Sequence, residues 1–128
     1  MHTLAESSNY KIEYEYETVY LLHPGGQTVI GDFYGDPVAA IIDKDERWCA
    51  VVGCGILLYY LKRPFKAYEY ECSTKQWVEF HRLPPEVWWI DDVKQIEKNK
   101  LEFVVDPAGN NAGTYHFDTK KKIIEKIV

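Results

Sequence analysis

The chain has 128 residues, enough for one domain (1–128) with its own hydrophobic core, and its 15% aromatic content, with ten Tyr and four Trp, suits pleated, half-buried surfaces. Its net charge of −5 is uneven: residues 1–46 carry nine acids and two bases, whereas residues 47–128 carry thirteen bases and eleven acids. No apolar run approaches the ~18 residues of a membrane helix, no signal-peptide pattern opens the chain, and three cysteines leave no complete disulfide framework, so a cytoplasmic protein with reduced thiols is expected.

Residues 1–9 are polar and are expected to fray. Residues 10–17 (YKIEYEYE) alternate strictly, with Tyr10, Ile12, Tyr14 and Tyr16 on one face and Lys11, Glu13, Glu15 and Glu17 on the other. This is the period of a half-buried strand, continuing into residues 18–22. His23-Pro24-Gly25-Gly26 closes it with turn chemistry, and residues 28–34 form a second strand ended by Gly35-Asp36-Pro37. Residues 38–42 are a short apolar run, 43–47 a charged turn, and 48–52 (WCAVV) another strand. Gly53-Cys54-Gly55 interrupts the pattern as a bulge, bend or tight turn, after which residues 56–61 read as a strand buried on both faces. Residues 67–72 and 76–81 are read as a hairpin, and Leu83-Pro84-Pro85 as a linker. Residues 87–93 start the second unit, 94–100 are polar enough to be a turn, 101–105 are a strand, 106–113 (DPAGNNAG) a long turn, and 114–118 pairs with 123–128. Helical periodicity is absent, residues 91–99 being the one place for a short helix.

A faint duplication runs through this pattern. AYEYECSTKQWVEFHRL (67–83) matches TYHFDTKKKIIEKIV (114–128): alternating aromatics Tyr68/Tyr70 and Tyr115/Phe117, an acid–Thr–Lys cluster, then an apolar pair and Glu. The repeat units, roughly 37–85 and 86–128, have the dimension of a β-propeller blade, and two are too few to close a ring. The expected fold is all-β and antiparallel, with two roughly four-stranded sheets arranged as a half-propeller or a β-sandwich.

Chemistry-bearing residues are scattered. Cys49 and Cys54 lack the companion ligands of a zinc site, and Cys54 lacks a local base. His23, His81 and His116 each sit in or beside a strand with no companion motif, and the glycines form no phosphate-binding pattern. No enzyme, metal or cofactor is therefore expected. The Lys120-Lys121-Lys122 run reads as a solvated, edge-protecting turn, with no direct nucleic-acid contact. The acids carry more interest. Glu13, Glu15 and Glu17, with Asp32, Asp36, Asp43, Asp45 and Glu46, form either a solvated face or a docking surface for a basic partner, with Tyr34 and Trp48 as candidate aromatic anchors.

Residues 31–61, GDFYGDPVAAIIDKDERWCAVVGCGILLYYL, resemble the strand, acidic turn, WC-apolar, Gly, apolar pattern of small bacterial immunity proteins, the antitoxins of polymorphic toxins including contact-dependent growth inhibition systems. The resemblance spans about a quarter of the chain and carries no particular site residue across. It implies a cytosolic, non-enzymatic protein that binds a cognate toxin, a basic nuclease (RNase) domain, and covers its active site. The partner-binding set is then Glu13, Glu15, Glu17, Asp32, Tyr34, Asp36, Asp43, Asp45 and Glu46; the basic 120–122 turn departs from a uniformly acidic binder. The alternative is a carbohydrate- or ligand-binding β module with Trp77, Trp88 and Trp89 as a stacking platform.

Overall fold

The computed structural model describes residues 1–72 and 74–128, in which twelve strands and no helix form three four-stranded antiparallel sheets, none closed into a barrel. The first sheet contains β1 (His2–Glu6), β2 (Lys11–Glu15), β3 (Thr18–His23) and β4 (Gly26–Asp32). The middle sheet contains β5 (Ala39–Ile42), β6 (Trp48–Gly53), β7 (Gly55–Tyr60) and β8 (Trp77–Phe80). The third contains β9 (Ile90–Glu97), β10 (Lys100–Val105), β11 (Gly113–Asp118) and β12 (Ile123–Lys126). Each sheet is a meander in which strands consecutive in sequence pair. The first strands are neighbours, β1 beside β5 and β5 beside β9, so the sheets are arranged as in a half-propeller.

The middle sheet is buried on both faces. Cys49, Val51, Leu57 and Tyr59 point into a core shared with Ile12, Val19, Leu21 and Ile30 of the first sheet. Ala50, Val52, Ile56 and Leu58 point into a second core with Val93, Leu101, Phe103 and Phe117 of the third. Continuous apolar sequence in β6 and β7 is what two-sided burial requires. The outer sheets bury one face each and alternate accordingly: in β10, Leu101, Phe103 and Val105 are buried while Glu102 and Val104 are half-exposed. On that outer face Glu102 accepts from Lys94 at 3.3 Å and meets His116 at 3.0 Å. Such polar outer faces end the stack.

The all-β antiparallel class agrees with the sequence reading, but there are three sheets where two were expected. Residues 2–6 pair with β2 because Leu4 and Ala5 pack on the first core, so this segment is a strand and not a frayed end. The alternation of residues 10–22 is cut at Tyr16-Glu17, a two-residue hairpin turn with Tyr16 at φ 55°. Together these build the first sheet. Residues 67–72 form no hairpin with residues 76–81; β8 pairs with β7, whose apolar residues fill both cores. The connection 61–76 instead crosses to the first sheet, where the Tyr68 N–H donates to the Val29 carbonyl at 2.8 Å. Residues 91–97 are strand, not a short helix, and the turn expected over 94–100 shrinks to Lys98-Asn99, because Lys94 and Gln95 pair with Glu102 and Leu101 of β10.

Charge is sorted by end. Segments 43–47, 62–66, 75–76, 98–99 and 119–122, grouped at one end of the strands, carry ten of the fifteen Lys and Arg residues. At the opposite end, segments 16–17, 33–38, 81–89 and 106–112 carry four acids and the single cation Arg82.

The β6–β7 hairpin turns through Gly53-Cys54-Gly55, with Gly55 at φ 76°. A Cβ there would lie 2.6 Å from the Phe80 carbonyl oxygen and 2.7 Å from that of His81. Gly55→Ala combines left-handed strain with a backbone clash and is expected to cost at least about 2 kcal/mol, a fall in Tm of about 5 °C or more by calorimetry.

Candidate functional site

The acidic end presents large hydrophobic side chains to solvent. Tyr16 is 81% exposed, Tyr34 77%, Val38 52% and Trp89 45%, and the Tyr34 and Trp89 rings lie 6.2 Å apart. Exposed carboxylates of Glu15, Glu17, Asp32 and Asp36 belong to the same end, on β2, β4 and the loops that follow them. The Glu17 carboxylate accepts from the Gly35 N–H at 2.5 Å and its carbonyl from the Phe33 N–H at 2.8 Å, tying the β2–β3 turn to the β4–β5 loop.

Arg82 fixes these loops from beneath. Its Nε donates to the Cys54 carbonyl at 3.0 Å, a terminal N–H donates to the Asp32 carbonyl, and the guanidinium lies 4.0 Å from the Phe33 ring centroid. Glu79 pairs with the same guanidinium, and the Tyr68 hydroxyl donates to Glu79 at 2.6 Å. Burial, reinforced by that carboxylate, raises the Tyr68 pKa. The side chain of Arg82 is almost wholly buried, so its charge organises backbone oxygens and leaves the surface of this end to carboxylates. Nearby, Cys54 lies opposite Trp89 in an isolated antiparallel bridge, and the Gly55 N–H donates to the Trp88 carbonyl at 2.8 Å, which positions Trp89 at the rim.

The sequence-derived docking set is divided by the fold. Glu17, Asp32, Tyr34 and Asp36 come together at the acidic end, with Glu15 beside them at the end of β2. Glu13 faces outward on the first sheet, 3.4 Å from Lys11 and bonded to Thr3. Asp43, Asp45 and Glu46 lie in the β5–β6 turn at the opposite end. Two of these three carboxylates are taken up structurally. Glu46 accepts from Ser7 and from the Asn9 backbone and side-chain N–H groups at 3.0 and 2.7 Å, contacts that lower its pKa, with Ser7 the largest influence. Asp43 is buried, held by Arg47 at 2.6 and 3.0 Å and by Gln95 at 2.8 Å, while Arg47 reaches on to Asn99 at 2.7 Å.

Trp48 is core, not anchor. Trp89 and Tyr16 are rim residues outside the sequence-derived docking set, Trp89 entering the sequence reading only in the ligand-stacking alternative. Adjacent Trp88 and Trp89 on an extended segment must face opposite ways, and that is the signal that one of them is exposed. Trp77 is buried and Trp88 stacks on His81 at 3.6 Å, so the three tryptophans share no exposed platform. His23, His81 and His116 stand on three separate elements. His23 is engaged with Thr28 and Gly25, His81 with Trp88 and His116 with Glu102. Burial raises the pKa of both the Cys49 and Cys54 thiols, for Cys54 against the opposing charge of Arg82. Among the described residues no group of three His, Cys, Asp or Glu side chains is placed to hold a metal ion.

No protein-family model, curated protein or solved structure matches this chain.

Burial alone would raise the Asp43 carboxyl, but the hydrogen bonds from Arg47 and Gln95 outweigh it and hold the pKa at about 2. The folded state therefore binds this proton more weakly than the unfolded chain. The resulting stability is complete above the unfolded-state value of about 4 and is lost as pH falls towards 2. Asp43→Asn is expected to lower stability at neutral pH by about 2 kcal/mol and to flatten the fall of Tm between about pH 5 and pH 2, measured by calorimetry across that range.

Proposed function

We propose that this protein is a non-enzymatic immunity protein that acts in the cytoplasm, where it binds a cognate toxin and neutralises it by covering the active site of a basic nuclease domain. The observation that carries this reading is the acidic end: Tyr34 and Trp89 exposed side by side and ringed by Asp32, Asp36 and Glu17, with the underlying loops held by Arg82. Buried aromatic anchors within a charged surround are the pattern of protein interfaces. A nuclease must present cationic groups to phosphodiesters, and carboxylates at this end would take the places of phosphates in such a cleft. Long-range attraction would accelerate encounter, while the rings would slow release. The resemblance of residues 31–61 to immunity proteins agrees with this reading, since that segment supplies Asp32, Tyr34 and Asp36. As a ligand-binding alternative, the fold offers Trp89 alone as an exposed tryptophan, too little for a stacking platform.

The test is co-expression with the C-terminal domain of the protein encoded immediately upstream, scored by cell survival and by a co-purifying 1:1 complex. Rescue with a stable complex is expected; a toxic neighbour neither neutralised nor bound would reject the reading. Within such a complex, Asp32→Lys with Asp36→Lys should slow association at least about 10-fold and reduce its salt dependence. Tyr34→Ala or Trp89→Ala should instead accelerate dissociation, each costing about 1–2 kcal/mol, resolved by surface plasmon resonance.

A further inference from the structure

We propose that the basic end of the molecule is a binding groove for a short single strand of nucleic acid, a second site that does not depend on the toxin reading. The groove, about 920 Å3, lies between the start of the 61–76 connection and the β11–β12 turn. Seven cations line it, and among the described lining residues there is no carboxylate. One of the seven, Arg47, is already paired with Asp43. The other six, Lys62, Arg63, Lys66, Lys75, Lys120 and Lys122, have no ion-pair partner among the described residues.

Six like charges gathered on one concavity of an acidic protein repel one another, and a polyanion relieves that repulsion. They are too many for a single phosphate and suit a run of them. The adjoining surface favours a nucleic acid over an acidic polypeptide. Past a wall shared by Tyr60, Thr74, Lys75 and Lys122, the groove opens into a second cavity of about 580 Å3 that is also lined by Tyr70, which is 60% exposed, and by His81. Aromatic faces beside a cationic track are what a single strand uses, phosphates on one side and bases on the other. Glu71, Glu79 and Glu86 line the second cavity and balance Lys75, Arg82 and Lys122, so the uncompensated positive charge that draws phosphates lies in the first groove, while the second suits uncharged bases. A polyglutamate chain, charged at every residue and without flat bases, gains nothing from that second cavity. Among the described residues, three of the five non-glycine residues in the left-handed region, Glu71, His81 and Lys122, line this second cavity, as sites that hold an unfavourable backbone often do.

The experiment is fluorescence anisotropy of a labelled oligouridylate of about twelve nucleotides. With four phosphates neutralised, affinity should fall about 50-fold between about 50 and 200 mM salt. Lys62→Glu with Lys120→Glu, on opposite walls, should weaken binding at least about 10-fold and flatten the salt slope. Tyr60→Ala should weaken it with the slope unchanged. Lys75→Glu serves in place of the pair if their melting temperature shows that the double variant is unfolded. Three results would each overturn the proposal: no binding at about 100 μM protein in low salt, binding indifferent to the charge reversals, or displacement by polyglutamate as readily as by unlabelled oligonucleotide at equal charge. The last would assign the groove to an acidic protein.

Discussion

The structure depends on a middle sheet that has no face for water. Along β6 and β7 successive side chains enter opposite cores, Cys49, Val51, Leu57 and Tyr59 on one side and Ala50, Val52, Ile56 and Leu58 on the other. An antiparallel sheet usually keeps one solvated face. This one requires a cover on each side, and the first and third sheets supply them. Their own alternation follows from that duty, apolar inward and polar outward. The polar outer faces then remove any need for a fourth sheet, so the arrangement begins like a propeller and stops at three units.

Stacking three meanders side by side brings their turns to two opposite ends, and the ends differ in chemistry. Hydrogen bonds between turns hold each group together. Asp43, Arg47, Gln95 and Asn99 tie the β5–β6 and β9–β10 turns at the basic end. Arg82 ties the β4–β5 loop to the β6–β7 hairpin at the acidic end. The charge split along the sequence, acid early and base late, does not coincide with this sorting. Asp43, Asp45 and Glu46 belong to the acidic third of the chain but lie at the basic end, where Asp43 is consumed by Arg47.

Most strands were legible because hydrophobic period reports burial. The two-faced run 56–61, the GCG turn, the charged turn 43–47 and the closing hairpin of residues 114–128 could all be read directly. What escaped was set by partners distant in sequence. Tyr16-Glu17 turns the chain without Gly, Asn or Pro, so strict alternation hid the break between β2 and β3. Residues 2–6 look polar but gain order from a neighbouring strand and a core that they touch with only Leu4 and Ala5. The 67–72 segment has strand-like alternation, yet its place beside β8 is taken by the more apolar β7. For the candidate site, the acids around Tyr34 were legible as a group because residues 32–36 are contiguous. Trp89 and the assembled basic groove were not, since both depend on how the sheets stack.

Every ladder in the three sheets joins strands consecutive in sequence, and only β7–β8 closes over a long connection, residues 61–76. Loop-closure entropy for most of the ladder is therefore small, and each meander can zip from its own hairpins. Docking follows a different schedule. When the chain has been synthesised through β8, the first sheet already has its partner, but Ala50, Val52, Ile56 and Leu58 still face outward with nothing against them. That bare apolar wall persists until β9 to β11 emerge. During synthesis it is the surface on which a chaperone, or a neighbouring nascent chain, competes with the protein's own C-terminal third.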